Sequence, residues 1–308
     1  FYVNLLTWPF ASVGWVTSLI QKAEASMARI LHFLDTEPDI ASESGVKNGE
    51  TNNFEANFNP GLGLVFKDVG YTYPETGIKA IEGLNFTLKS GTTVAITGRT
   101  GSGKSTILQL VMRMMDPTEG SIEFKGVELG VWKLDKYREH TGYVPQDVFL
   151  FSDTIENNIS FGVKEFKTEE REKERIIESA FDAGVLDDIE EFENGFKTLL
   201  GERGVNLSGG QKQRISIARA LIREPELLIL DDCLSAVDVI TEKHILGRLK
   251  EGNISRSTLV VSHRISTIKD ADLILVLEEG RIVESGTHQE LIGKGQLYAE
   301  MDRKQEGS

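Results

Sequence analysis

The sequence has almost no cysteine and fewer basic than acidic side chains, and both deficits narrow its possible functions. One cysteine, Cys233, among 308 residues excludes an internal disulfide and fits a reducing compartment. The formal net charge of −14 argues against a general DNA- or RNA-binding protein, which needs a basic surface, so we expect no nucleic-acid partner. The sequence also lacks internal repeats, low-complexity tracts and the basic region that opens a signal peptide.

A long uncharged run is present at the start of the sequence. Residues 1–20 carry no charged side chain, and about 20 apolar residues suffice to cross a bilayer as a helix. Lys22 and Arg29 follow the run, which places its C-terminal end on the cytoplasmic side of a membrane. We predict that residues 1–34 are the C-terminal end of a transmembrane helix and its cytoplasmic continuation. A buried helix of a soluble protein is the alternative.

The composition changes twice after this helix. Residues 35–63 are polar and rich in Asn, Gly, Glu and Ser, which predicts a linker. From residue 64 onward, short apolar runs alternate with helical patterns, and continuous runs of this length suit strands buried on both faces of a parallel sheet. The alternation predicts an α/β domain. The four clearest runs are residues 93–97, 227–230, 258–262 and 273–277.

The segment GRTGSGKST fits the phosphate-binding pattern G-x-x-x-x-G-K-[ST]. A predicted strand precedes it and an amphipathic helical pattern follows it, as a P-loop requires. Its glycines let backbone N–H groups face a phosphate, Lys104 can reach the β- and γ-phosphates, and the Ser105 hydroxyl can bind Mg²⁺. The loop residues predicted to bind nucleotide are Gly98, Arg99, Thr100, Gly101, Ser102, Gly103, Lys104, Ser105 and Thr106.

A P-loop site also needs a carboxylate for Mg²⁺, usually at the end of a neighbouring apolar strand. The run LLILDD ends in Asp231 and Asp232. We predict that Asp231 binds Mg²⁺ directly or through water. A helix N-cap or a turn-forming Asp231 would be an alternative, but neither explains the preceding strand pattern as well. The two motifs together indicate a P-loop ATPase or GTPase.

The segment LSGGQKQR, residues 207–214, resembles the signature of the ABC ATPase family, and the resemblance extends over about residues 64–300. It implies an α/β fold with a P-loop NTPase (RecA-like) core, an antiparallel β subdomain and an α-helical signature subdomain at about 147–222. The ABC nucleotide-binding domain would then occupy residues 64–308. In this family the signature contacts the ATP of a partner domain, so the residues expected to contact ATP in trans are Leu207, Ser208, Gly209, Gly210 and Gln211.

Further segments match family motifs in the family's order. Tyr73 resembles the aromatic residue that stacks on adenine, Gln146 the glutamine that contacts Mg²⁺ or the attacking water, and His263 the histidine that contacts the γ-phosphate. Without the other motifs, Tyr73 would be interpreted as an ordinary core or strand tyrosine. His263 would be interpreted as an ordinary surface histidine. The resemblance implies catalytic roles for Lys104, Gln146, Asp232 and His263, and Mg²⁺ ligation by Ser105, Gln146 and Asp231. It also implies a D-loop at the dimer interface, formed by Ser235, Ala236, Val237 and Asp238.

Two segments resemble exporters in particular. Residues 145–159 resemble the region that meets the coupling helices of a membrane domain, and residues 198–204 follow the exporter pattern T-x-x-G-E-R-G. The expected partners are therefore a second ABC nucleotide-binding domain and the coupling helices of a transmembrane domain. The full-length protein is expected at the membrane, with this domain on its cytoplasmic face. A soluble ABC ATPase of DNA repair or translation is the alternative, although such proteins lack a membrane-like segment.

Asp232 departs from the family pattern, which has Glu directly after the Mg²⁺-binding Asp. One fewer methylene shortens the reach by roughly 1.5 Å, and misplacing a catalytic group by about 1 Å can cost on the order of 10²-fold in rate. Two hypotheses follow. Asp232 is the base of a slow homodimeric ATPase, or it marks the degenerate site of a heterodimer whose other subunit carries Glu.

Overall fold

A computed structural model describes residues 1–36, 40, 58–59, 61–163, 168–251 and 256–306. The chain divides into two compact units, Phe1–Ala41 and Ser42–Ser308. Most of the predicted linker at 35–63 lies outside the described residues.

The first unit contains one helix, α1 (Tyr2–Asp35), which is long and apolar enough to cross a membrane by length and composition. None of its residues is buried against the described residues. Its hydroxyl groups bond to its own backbone: Thr7 Oγ1 donates to Val3 O at 3.1 Å, and Thr17 Oγ1 to Val13 O at 2.8 Å. Such bonds satisfy polar groups without water, as a lipid environment requires.

The second unit contains two sheets, a six-stranded one in the order β10-β9-β3-β8-β7-β6 and a four-stranded one in the order β2-β1-β4-β5. In the larger sheet only β10 runs antiparallel to its neighbour; the smaller sheet is antiparallel throughout. The strands are β1 (Leu62–Thr72), β2 (Lys79–Lys89), β3 (Thr93–Gly98), β4 (Glu119–Phe124), β5 (Val127–Glu128), β6 (Thr141–Val144), β7 (Leu227–Asp231), β8 (Ser257–Val261), β9 (Leu273–Glu278) and β10 (Arg281–Gly286).

Helices flank the sheets and form a group of their own between β6 and β7. The helices are α2 (Lys104–Val111), α3 (Leu134–Glu139), α4 (Ile155–Ser160), α5 (Glu169–Asp182), α6 (Leu186–Glu191), α7 (Gly209–Leu221), α8 (Val239–Glu251), α9 (Ile265–Ile268), α10 (His288–Lys294) and α11 (Leu297–Glu306). Helices α4 to α7 occupy the stretch predicted as the helical subdomain. The antiparallel sheet, the parallel core and the helical group confirm the predicted fold class.

The four predicted apolar runs are the strands β3, β7, β8 and β9, and all are almost completely buried. Because they are parallel, their carboxyl ends meet at one edge of the sheet, where ligands bind in open α/β sheets. The helix after the P-loop is shorter than its apolar pattern, which continues to Met115. It ends because Arg113 adopts a left-handed conformation (φ 48°) and its buried guanidinium donates to Trp132 O at 2.7 Å.

Candidate nucleotide-binding site

The P-loop connects β3 to α2 at the carboxyl edge of the sheet. Gly103 caps α2 with φ 102°, and a Cβ atom there would lie 2.8 Å from Ile81 Cδ1 and 2.9 Å from Ala80 O. Only glycine therefore lets the loop approach β2 this closely. Since α2 begins at Lys104, the unpaired N–H groups of its first turn face the loop and favour an anion there.

Lys104 is buried with its amine folded over the loop. Its Nζ donates to Gly98 O at 2.9 Å and to Arg99 O at 2.8 Å, and it lies 3.4 Å from Ser102 Oγ. Burial lowers the pKa of Lys104, and the carboxylates of Asp232 and Asp231 oppose that shift. The amine is thus held by neutral oxygens, which a phosphate oxygen could replace with a stronger, charged acceptor.

A cavity of about 560 Å³ opens beside the P-loop. The predicted residues that line it are Tyr73, Thr100, Gly101, Gly103, Lys104, Ser105, Thr106, Gln146 and His263. Gly98, Arg99 and Ser102 shape the loop but are not among the lining residues, and neither are Asp231 and Asp232. The structure thus brings together residues that are up to 190 positions apart in the sequence, which no local pattern specifies.

Tyr73 lines the cavity from the side of the antiparallel sheet. It follows β1 directly, and its ring packs edge-on against the buried Tyr71 at 5.0 Å between centroids. Its hydroxyl is 3.1 Å from Thr106 Oγ1 on α2. The partly buried ring is therefore oriented by its contacts with Tyr71 and Thr106, and it lines the cavity.

Asp231 ends β7 with a half-buried carboxylate. Burial raises its pKa, while the hydrogen bond that Tyr143 Oη donates to Asp231 Oδ2 at 3.3 Å lowers it. Burial, together with Asp231, raises the pKa of Tyr143 to about 12.

The donor chemistry of the predicted metal ligands fits Mg²⁺, which prefers oxygen ligands. Ser105 offers an exposed hydroxyl, Gln146 an amide oxygen and Asp231 a carboxylate. Among the residues that the structure describes, no group of three or more His, Cys, Asp or Glu side chains could hold a metal ion. In P-loop proteins Mg²⁺ also takes phosphate oxygens as ligands.

Asp232 adopts a left-handed conformation, with φ 43°, and its carboxylate turns towards the next loop. Its Oδ1 accepts a hydrogen bond from Ser262 Oγ at 3.1 Å and a longer one from His263 N at 3.4 Å. The short side chain is thus bonded to the loop that carries His263, an arrangement that sequence reasoning missed.

Gln146 and His263 follow β6 and β8, and both side chains line the cavity. The His263 loop is also held from the other side, because Gln305 Nε2 donates to His263 O at 2.6 Å. Gln305 Oε1 accepts from Ile265 N at 2.8 Å, so one amide of α11 binds both ends of this short loop.

The signature segment begins α7 with a capping box. Gln211 N donates to Ser208 Oγ at 3.2 Å, and Ser208 N donates to Gln211 Oε1 at 3.0 Å. Behind it, Asp188 accepts bonds from Gln211 Nε2 at 2.9 Å and from Arg214 at 2.7 Å. The helix start is therefore rigid, although Ser208 itself is exposed.

The signature helix is bonded to the predicted D-loop of the same chain. The buried Gln213 accepts from Ala236 N at 3.1 Å and donates to Ser235 Oγ at 3.4 Å. Gly210 also approaches Ala236 O closely enough that a Cβ would lie 2.9 Å from it. The two segments expected to reach a partner domain thus form one surface.

The two exporter-like segments meet in space. Thr154 and Leu199 form a β-bridge, and Leu200 N donates to Asp153 O at 2.9 Å. Beside this bridge, exposed aromatic rings pack together, with 4.5 Å between the centroids of Phe151 and Phe161.

Arg219 contacts these rings and the backbone beside them. Its guanidinium lies 5.5 Å from the Phe151 ring and donates to Phe149 O and Asn158 O, each at 2.8 Å. Burial lowers the pKa of Arg219 to about 10. The exposed rings of Phe151 and Phe161 thus form an apolar surface on the helical group, with Arg219 packed against it.

Sequence reasoning missed part of the cavity wall. The start of β2 and the turn between β9 and β10 also line the cavity, through Ile78, Lys79, Ala80, Glu279 and Gly280. The only sequence signal for the turn is the Glu-Gly pair between two strand patterns, which indicates a hairpin but gives no position relative to the P-loop.

The fold and this site define a P-loop ATPase. A protein-family model described as ABC transporter matches residues 81–235, just over half of the chain. The chain therefore belongs to the ABC transporter family, as the signature predicts, and it contains an ATP-binding ATPase domain of that family.

Individual relatives are exporter-type proteins. The chain is 40% identical over 305 residues to a probable multidrug resistance ABC transporter ATP-binding/permease protein of Bacillus subtilis. The matched region covers 99% of this chain and 50% of that protein. It is 40% identical over 299 residues to the ATP-dependent lipid A-core flippase of Salmonella typhimurium, with 97% and 49% covered. The chain thus spans about half the length of the curated relatives it matches.

A solved structure of a bacterial Atm1-family ABC exporter with ATP bound is also similar. It matches with a TM-score of 0.79 and 34% identity over 99% of this chain and 51% of that chain.

Proposed function

We propose that the cavity binds ATP together with Mg²⁺ and that the domain hydrolyses this ATP. The observation that carries the proposal is the convergence of Tyr73, the P-loop, Gln146 and His263 on one cavity. Tyr73 would stack on the adenine, Lys104 and the loop amides would bind the phosphates, and His263 would contact the γ-phosphate.

Hydrolysis would proceed by in-line attack of water on the γ-phosphorus, which depends on positioning and charge stabilisation. Ser105, Gln146 and Asp231 would hold Mg²⁺, which neutralises phosphate charge when it is bound. Asp232 stands where the base or water-orienting residue belongs.

We further propose that a second ABC nucleotide-binding domain completes each site. The signature residues 207–211 and the D-loop lie outside the cavity wall, and Ser208 and Gly209 are exposed, so they are free to cover the ATP of a head-to-tail partner. ATP would then contact both domains and close the dimer, and hydrolysis would reopen it.

The proposed work of this cycle is export across a membrane. Residues 1–34 would be the end of a transmembrane helix and its continuation, 35–63 a linker and 64–308 the ATPase domain on the cytoplasmic face of the cell membrane. The aromatic surface around Phe151 would receive the coupling helices of the membrane domain. The names of the two relatives suggest multidrug compounds or lipid A-core as substrate classes.

Substitution of Lys104 tests the nucleotide site. We expect Lys104→Ala to abolish hydrolysis and weaken ATP binding, because the cavity loses the cation that reaches the phosphates. ATP binding and phosphate release are measured on the full-length transporter, with Lys136→Ala, an exposed lysine on α3, as the matched control. Normal binding and hydrolysis in Lys104→Ala would refute this site.

A second candidate function is a degenerate ATP-binding half of a heterodimeric exporter. It is favoured by Asp232, whose short carboxylate is bonded to Ser262 and His263 N. The intact signature would still serve the site of a partner subunit that carries Glu.

A further inference from the structure

The turn between β9 and β10 lines the cavity and lies between the P-loop and β2. Glu278 pairs with Arg281 across a two-residue turn, and both turn residues have positive φ, 48° at Glu279 and 76° at Gly280. This conformation is the type I′ hairpin turn, for which glycine is strongly preferred. Glu279 is exposed at the cavity, whereas Gly280 is buried.

Gly280 is bonded to the P-loop on one side and to β2 on the other. Its N–H donates to Ser102 O at 3.1 Å, and its carbonyl accepts from Glu82 N at 3.0 Å. A Cβ atom on Gly280 would lie 2.5 Å from Ala80 O, 3.0 Å from Ala80 C and 3.2 Å from Ile81 Cα. These neighbours are backbone atoms, so a larger residue would have to push the turn away from β2.

The β2 contact leads directly to Tyr73. Tyr73 N donates to Ile78 O at 3.0 Å, and Ile78 immediately precedes β2. The chain of contacts therefore runs from Ser102 in the P-loop through Gly280 to β2 and on to Tyr73. ATP would contact both ends of this chain, its phosphates at the P-loop and its adenine at Tyr73.

We propose that Gly280 is a positioning residue for nucleotide binding: together with the direct contacts of Gly103 with β2 and of Tyr73 with Thr106, it sets the separation between the P-loop and Tyr73. The proposal rests on the proposed ATP site. Gly280 does not itself provide a side chain to the nucleotide. Its role is to let the turn fit between two elements that must both contact one ligand.

The test compares Gly280→Ala with Gly295→Ala in the full chain. Gly295 has φ 65°, and a Cβ atom added there would have no other atom within 4 Å, so alanine brings the positive-φ strain without the contact with β2. ATP and inorganic tripolyphosphate serve as probes, because tripolyphosphate reaches the P-loop but has no adenine for Tyr73. Binding is measured by calorimetry and folding by thermal unfolding.

We expect Gly280→Ala to bind ATP at least about tenfold more weakly than wild type, which corresponds to about 1.4 kcal/mol, with tripolyphosphate binding changed by less than about threefold. Gly295→Ala should lower the unfolding temperature and leave both affinities unchanged. ATP affinity in folded Gly280→Ala within about twofold of wild type, or an equal loss for both probes, would overturn the proposal.

A measurement on the wild-type chain covers the case in which Gly280→Ala does not fold. The amide hydrogens of Gly280 and Glu82 should exchange more slowly with ATP bound than with tripolyphosphate bound, since only ATP spans both ends. Equal exchange with the two ligands would contradict the proposal. Failure of the wild-type chain to bind ATP would instead refute the nucleotide site itself.

Discussion

At the scale of single residues, the adjacent Asp231 and Asp232 have different surroundings. Asp231 continues the strand and is oriented by the Tyr143 hydroxyl. Asp232 leaves the strand in a left-handed conformation and binds Ser262 and His263 N. One carboxylate is thus held at the strand end, and the other is attached to the loop of the predicted γ-phosphate sensor.

Asp232→Glu distinguishes two hypotheses for this site: a competent site with Asp232 as the base, and a degenerate site. A longer side chain would extend roughly 1.5 Å further and could reach the attacking water. Under the degenerate interpretation we expect faster ATP hydrolysis, by up to the order of 10²-fold, with little change in ATP affinity. Steady-state phosphate release and equilibrium ATP binding are the measurements.

Asp232→Asn is the control for charge, since it keeps the length and the acceptor oxygen of the side chain. If Asp232 acts as a base, Asp232→Asn loses hydrolysis and Asp232→Glu does not exceed wild type. No increase in Asp232→Glu would therefore count against the degenerate site.

The sequence predicted the residues expected to contact nucleotide better than the residues that position them. Lys104, Tyr73, Gln146 and His263 stand in recognisable motifs, and the structure places all four at one cavity. Gly280 and Gln305 carry no motif. Their importance lies in hydrogen bonds to residues far away in the chain, which a single sequence does not encode in a readable pattern.

At the scale of elements, the start of α7 combines a capping box with exposed signature residues. Ser208 and Gln211 form the capping box, and Thr287 and Glu290 form the same arrangement at the start of α10. The two caps share the same hydrogen-bond pattern, but only the first belongs to the signature. Removing each cap in turn therefore distinguishes an effect on stability, expected for both, from an effect on function, expected only for the signature cap.

We expect Ser208→Ala and Thr287→Ala each to lower the free energy of unfolding by about 1 kcal/mol, because each loses one cap. Only Ser208→Ala should also weaken ATP-induced dimerisation, since its hydroxyl would contact the ATP of the partner. Denaturant unfolding and sedimentation with ATP·Mg²⁺ measure the two effects. Equal dimerisation of both variants would contradict the role in trans.

Element boundaries were predictable where one periodic pattern decided them. The buried strands β3, β7, β8 and β9 were predicted from continuous apolar runs. The end of α2 was not, because the apolar pattern continues beyond Val111 while the buried Arg113 turns the chain. A tertiary hydrogen bond overrides the local pattern there.

At the scale of the whole domain, the P-loop and the signature segment lie at different places in one chain. The P-loop lines the cavity, whereas residues 207–211 do not contribute to its wall. A signature bonded to the D-loop through Gln213 is a rigid surface suited to a second domain. We therefore propose that each ATP site is shared between two chains.

Mixing two inactive variants tests this claim most directly. Lys104→Ala removes the P-loop function and Ser208→Ala the signature function, so each variant alone should hydrolyse little ATP. A mixed dimer would contain one intact site, formed by the P-loop of one chain and the signature of the other. We predict that an equal mixture recovers roughly a quarter of the wild-type rate, since half of the dimers are mixed and each has one working site. A mixture no more active than the average of the two variants would contradict the shared site.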